Sequence, residues 1–161
     1  VGGWDAPVKS RARTRKRPKR YLVDPSLTAA SLGYDAQRLL WDRQLLGILF
    51  ESLCMRDLSA CLCASTRLRQ PSLFYYRDAY GLEADVVIEL LDGRWAALEI
   101  KLDSTKADAA AANLLRLRKK VASNPLAQNP EPVFLGVIAA NAPFLFRRPD
   151  GVYVIPAGCL G

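Results

Sequence analysis

The chain has 161 residues, 50% of them hydrophobic, and a formal net charge of +7 from 23 basic and 16 acidic residues. That length and apolar content predict one soluble domain with its own core, no continuous apolar run is long enough to cross a bilayer, and a cytoplasmic chain is expected. Four cysteines without one histidine do not meet zinc spacing, and they are expected as small buried hydrophobes under reducing conditions.

The first residue is Val1 and the sole methionine is Met55, so the chain is expected to be a piece cut from a longer protein. Residues 1–18 lack hydrophobic periodicity, contain Pro7 and Pro18, and are expected as a basic linker or arm, with the folded domain over 19–161. Within "RARTRKRPKR", residues 11–20, seven of the 23 basic residues meet no acid, which leaves 16 basic against 16 acidic elsewhere. The basicity is thus a property of one segment. Arg11, Arg13, Arg15, Lys16 and Arg17 are candidate contacts for nucleic-acid phosphates, while a solvated interdomain linker would carry the same composition.

The domain is expected to begin with a short strand at residues 21–23, a turn at Asp24 and Pro25, and a short helix ending at Gly33. "DAQRLLWDRQLLGILFESLCMRDLSACL" places Leu39, Leu46, Leu49 and Leu53 on one helical stripe, with Leu40, Ile48, Phe50, Cys54 and Leu58 around it. One long helix, buried over much of its circumference and interrupted by Glu51, is predicted. Three strands follow in "SLFYYRD", "ADVVIEL" and "RWAALEIKL", the last two joined at Asp92 and Gly93. "STKADAAAANLLRLRKKVAS" then reads as a helix capped by Asp103 or Ser104. A final strand pair, "PVFLGVIAA" and "GVYVIPA", is placed around Pro149, Asp150 and Gly151. A helix between two strands is what a parallel crossover requires, so the fold class is α/β with a mixed sheet flanked by helices.

The charges of "EADVVIELLDGRWAALEIKLD", residues 83–103, need explanation. Period-two alternation puts Glu99 and Lys101 on one strand face, and Asp85 is about as far from the turn as Glu99, so the two carboxylates are expected to meet across the hairpin. Two carboxylates are what Mg²⁺ or Mn²⁺ takes from a protein beside water and phosphate, and the Ile100 carbonyl would add a third oxygen. Lys101 would act on an attacking water or a phosphate oxygen, and Glu51 would complete the surroundings through water. A solvent-facing alternation with a neighbouring Asp, and a partly exposed helix Glu, would give the same letters.

The joint placement of Glu51 on a helix, Asp85 on one strand and Glu99-x-Lys101 on the next resembles the PD-(D/E)XK nuclease superfamily. More narrowly, "KRPKRYLVDPSLTAASLG", "LLGILFESL", "FYYRDAYGLEADVVIE" and "LEIKLD" resemble a C-terminal domain of unknown function attached to prokaryotic AAA-type ATPases, over most of residues 19–103. The superfamily's Pro-Asp is here Ala84-Asp85, which leaves every charged ligand in place. The resemblance implies a restriction-endonuclease-like fold with Glu51, Asp85, Glu99 and Lys101 in the nuclease-like site. It also implies an ATPase core, with its ATP, and a winged-helix segment before Val1. It favours a linker at 11–20, because the related chains lead into the domain the same way.

The expected activity is Mg²⁺-dependent hydrolysis of DNA phosphodiester bonds. The alternatives are a catalytically silent docking, oligomerising or regulatory module of the ATPase and a nucleic-acid binder that does not cut. Arg116, Arg118, Lys119 and Lys120 form a second candidate surface for DNA, or an ordinary solvated helix face.

Overall fold

Period-two runs become strands where the alternation predicts them, and they assemble into one mixed sheet. The computed structural model describes residues 1–7, 17–65 and 71–160. Its strands are β1 (Gly2–Gly3), β2 (Ser72–Arg77), β3 (Glu83–Glu89), β4 (Trp95–Lys101), β5 (Leu135–Ala139), β6 (Phe146–Arg147) and β7 (Tyr153–Pro156). They lie in the order β1-β2-β3-β4-β5-β7-β6. Neighbours β2, β3 and β4 run antiparallel, whereas β4 to β5 and β5 to β7 are parallel. The helices among the described residues are α1 (Pro25–Ser31), α2 (Ala36–Trp41), α3 (Arg43–Ala64) and α4 (Ala107–Ala122).

Alternation along β4 and β5 divides the core in two. Ala97, Val137 and Ala139 face α4, through Ala107, Ala110, Ala111, Leu114, Leu117 and Val121. Leu98, Ile100 and Ile138 face α3, through Cys54, Met55 and Leu58. The sheet is therefore covered by one helix on each face, an α/β fold in three layers. The crossover from β4 through α4 to β5 is as predicted.

The β3–β4 turn is longer than a two-residue hairpin. The Gly93 N–H donates to Leu90 C=O at 2.8 Å and the Leu90 N–H to Arg94 C=O at 2.8 Å, with Gly93 at φ +78° in the left-handed region. Asp92 accepts the Arg94 N–H at 3.1 Å and holds this turn in place.

Several expectations are corrected. Residues 2 and 3, assigned to a linker, pair in parallel with Phe74 and Tyr75 of β2. Trp4 is 2% exposed, stacks 5.0 Å from Trp95 and donates its indole N–H to Glu89 at 2.9 Å, so the start of the chain belongs to the core. Residues 21–23 form no strand, and Val23 is 89% exposed. The long helix is two. Asp35 caps α2 and Asp42 breaks the run to cap α3, accepting the Leu45 N–H at 3.0 Å.

Nor is α3 buried all round: Leu49, Cys54, Met55 and Leu58 point inward, while Ile48 is exposed, as are Leu40 and Trp41 on α2. Cys54 alone of the cysteines is buried, and burial pushes its thiol up to about 12. The turn near Asp150 joins β6 to β7, and β5 and β7 are parallel neighbours instead of a hairpin.

Candidate functional site

The last registered pair of the β3–β4 ladder is Val86 with Leu98, so Asp85 and Glu99 face one another one step beyond it. Ala97 N–H donates to Phe134 and Lys101 C=O accepts from Ala140, which means that odd residues of β4 spend their backbone groups on β5. Ile100 therefore directs its own toward β3, past the end of the ladder. Its N–H is taken by Asp85 Oδ2 at 2.8 Å. The same alternation turns the Ile100 carbonyl to the β3 side.

Asp85 is 8% exposed and Glu99 3%. Lys101 Nζ stands between them, 2.5 Å from Glu99 Oε2 and 3.5 Å from Asp85 Oδ2. The predicted grouping of Asp85, Glu99, Ile100 and Lys101 is thus one cluster in space. Its charges do not balance, since two carboxylates meet one ammonium. Glu99 Oε1 is buried without a hydrogen-bond partner.

Burial, then the Asp85 charge, pushes the Glu99 carboxyl above its ordinary value, against the hydrogen bond and charge of Lys101 and the side chain of Asn113. For Lys101, burial pulls downward, but the charge of Asp85 and the hydrogen bond and charge of Glu99 outweigh it and hold the ammonium above its ordinary value. The donor set suits a hard divalent cation: Asp85, Glu99 with an open oxygen, and a strand carbonyl are all oxygen ligands. Among the described residues, no group of three or more His, Cys, Asp and Glu side chains gathers at a metal-binding spacing.

Glu51 is placed differently from Asp85 and Glu99. Its Oε1 accepts from Lys19 Nζ at 2.5 Å and from Tyr21 OH at 3.2 Å. Lys19 also approaches Glu83 at 4.0 Å. Burial lowers the Lys19 ammonium, yet the hydrogen bond and charge of Glu51, with the charges of Asp85 and Glu83, raise it overall, which puts Asp85 within electrostatic reach of the Glu51 cluster. Lys19, Tyr21 and Asn113 are site neighbours that the sequence reading missed. The first two stand in "KRYLVD", a cation and an aromatic ring at the start of the domain. Asn113 breaks the apolar stripe of α4 at three residues from Ala110 and four from Leu117, a polar side chain on an inward face.

Among the described basic candidates, two are engaged in ion pairs. Arg11, Arg13, Arg15 and Lys16 lie outside the described residues, and Arg17 is exposed. Lys120, expected at a nucleic-acid surface, is instead bound to Asp78 at 2.5 Å with its ammonium over the rings of Tyr76 and Tyr80. Arg118 pairs with Glu131 at 2.6 Å, while Arg116 and Lys119 remain exposed. No helix among the described residues is long and apolar enough to cross a membrane.

The sequence matches the family described as Domain of unknown function (DUF4143) over residues 46–160. The chain belongs to this family. The matched span of the DUF4143 domain runs from the first turns of α3 to the residues after β7, and it contains Glu51, Asp85, Glu99 and Lys101. Lys19 and Tyr21, which engage Glu51, precede it. No curated protein and no solved structure matches the chain.

Proposed function

We propose that this DUF4143 domain is a divalent-cation-dependent nuclease of the PD-(D/E)XK type, hydrolysing DNA phosphodiester bonds on a restriction-endonuclease-like sheet. The observation that supports it best is the surplus of negative charge at the end of the β3–β4 ladder, with Glu99 Oε1 buried and unpartnered beside Asp85. Native folds rarely leave a buried oxygen unsatisfied, and an ion or water reaching Glu99 Oε1 would complete it. Asp85, Glu99 and the Ile100 carbonyl would hold Mg²⁺ or Mn²⁺, and such an ion, when bound, polarises a phosphoryl oxygen and activates water.

The chain's own residues have distinct parts in this reading. Lys101, paired with its two acids, would donate hydrogen bonds from Nζ to a phosphate oxygen and stabilise the charge that develops there. Asp85 accepts the Ile100 N–H and so fixes the strand end that carries the carbonyl. Glu51 bears on the site through Lys19. The link to an AAA-type ATPase, and DNA as the substrate, rest on the resemblance alone.

One observation favours a second reading, a module that keeps the fold without cutting. Each acid of the candidate site already faces a lysine, Lys101 for Asp85 and Glu99 and Lys19 for Glu51. Calorimetric titration of the whole chain with Mn²⁺, in parallel with Asp85→Ala, separates the two. Saturable heat in the parent that vanishes in the variant is the expected result. Equal, featureless traces would sink the nuclease reading and leave the silent module.

A further inference from the structure

Beside the candidate site lies a groove of about 320 Å³ between the segment that leads into the domain and the junction of β2 with β3. It is lined by Arg17, Pro18, Lys19, Tyr75, Arg77 and Glu83. The lead-in segment is fastened there by its backbone. Lys19 exchanges two hydrogen bonds with Val1, each of 2.9 Å, and Tyr75 OH donates to Arg17 C=O at 2.5 Å.

Three cations therefore converge from two separate stretches of chain on a groove whose own acid is Glu83. That one carboxylate is divided between Arg77, at 3.8 Å, and Lys19, at 4.0 Å. Neither distance is a hydrogen bond, so the Arg77 guanidinium keeps its fork of donors. Lys19 is bound to Glu51 at the inner end of the groove, and Glu83 stands two residues before Asp85 on the same strand. The groove thus adjoins the candidate site through Lys19 and Glu83, and its lining carries more positive than negative charge. Planar guanidiniums suit the paired oxygens of a phosphate, and a positive channel running into a carboxylate site is what a polyanionic backbone needs to reach it.

We propose that this groove binds a phosphodiester of a single nucleic-acid strand, with Arg17 and Arg77 on the phosphate oxygens and Lys19 at the boundary with the cleavage site. The assignment rests on the nuclease reading and adds the path by which substrate arrives.

The test is fluorescence anisotropy of a labelled single-stranded oligodeoxynucleotide with the whole chain in EDTA, over a range of salt. Arg17→Ala and Arg77→Ala should each weaken binding several-fold and reduce the salt slope by about 1. Arg77→Lys should retain the slope, and Arg94→Ala, at the exposed tip of the β3–β4 turn, should behave like the parent. Unchanged slopes in both groove variants, or an equal loss in Arg94→Ala, would overturn the assignment. So would displacement of the oligonucleotide by equimolar inorganic phosphate, which would mark a free-phosphate site, or by polyglutamate, which would mark an acidic-peptide site. Because divalent ions are absent, the outcome is independent of the Mn²⁺ titration. Groove-dependent binding without Mn²⁺ heat would fell the nuclease and spare the groove, and the reverse pair of results would do the opposite.

Discussion

Two buried acids near the same end of the sheet are each held by a lysine, yet they differ in every other respect. Asp78, just past β2, has all of its bonding capacity in use. Its Oδ1 accepts the N–H groups of Tyr80 and Leu82 at 2.8 and 3.0 Å, and its Oδ2 accepts from Lys120 at 2.5 Å and Tyr76 OH at 3.3 Å. Glu99 shares Lys101 with Asp85 and leaves Oε1 with no partner. One acid against one lysine closes a turn. Two acids against one lysine leave charge and an oxygen to spare. Burial by itself does not single out an acid as a candidate site; incomplete satisfaction is what sets Glu99 apart.

The largest expected effect is on the closed pair. Asp78 orders the turn through Gly81, at φ +77°, and ties it to α4. Asp78→Ala strands the Lys120 ammonium and two backbone N–H groups, which predicts a loss of roughly 3 kcal/mol. Urea unfolding followed by circular dichroism measures it. A loss no greater than that of an exposed pair such as Arg118 and Glu131 would erase the contrast.

The open pair should respond to metal where the closed pair does not. Mn²⁺ at a hundredfold excess over its dissociation constant stabilises a protein that binds it only when folded by about 2.7 kcal/mol. That increment is expected in thermal melts of the parent and of Asp78→Asn, and is expected to be absent in Asp85→Ala. Equal increments in all three proteins would mean that the ion binds elsewhere.

These two regions were unequally legible in the sequence. Strand alternation revealed β2 to β5 and β7, parity put Glu99 and Lys101 on one face, and equal distance from the turn brought Asp85 opposite Glu99. Two-residue strands such as β1 and β6 carry no alternation to read, and the glycines of β1 conceal that Trp4 follows them into the core. Leucines on every side of "QRLLWDRQLLGILF" suggested all-round burial, and the capping role of Asp42 shows only once its carboxylate meets the Leu45 N–H. Lys120 and Arg118 were grouped as phosphate contacts because their acids are remote in sequence, 42 and 13 residues away. Periodicity describes which face a side chain occupies; it contains nothing about which distant charge waits there. For the same reason Lys19 could not be linked to Glu51 across 32 residues.

The smallest effect is the most discriminating, because the two acids should titrate with opposite signs. The carboxyl of Asp78 lies below its ordinary 3.8, since the hydrogen bond from Lys120 and the two backbone N–H groups overcome burial. Its contribution to stability is present above 3.8 and is lost as pH falls through the lower folded value. Glu99 is raised above 4.5 by burial and by Asp85. It favours the fold fully below 4.5, and that benefit is lost as pH rises through the higher folded value. In metal-free buffer at neutral pH, Glu99→Gln should therefore melt slightly higher than the parent, and the advantage should fade as pH falls through the raised folded value and be gone by 4.5. Asp78→Asn should melt lower at neutral pH, with a deficit that narrows only below 3.8. Melting curves across that range for the three proteins decide it. If Glu99→Gln were the less stable at neutral pH, Lys101 would be satisfying Glu99 as fully as Lys120 satisfies Asp78, and the open pair would be one more structural clasp.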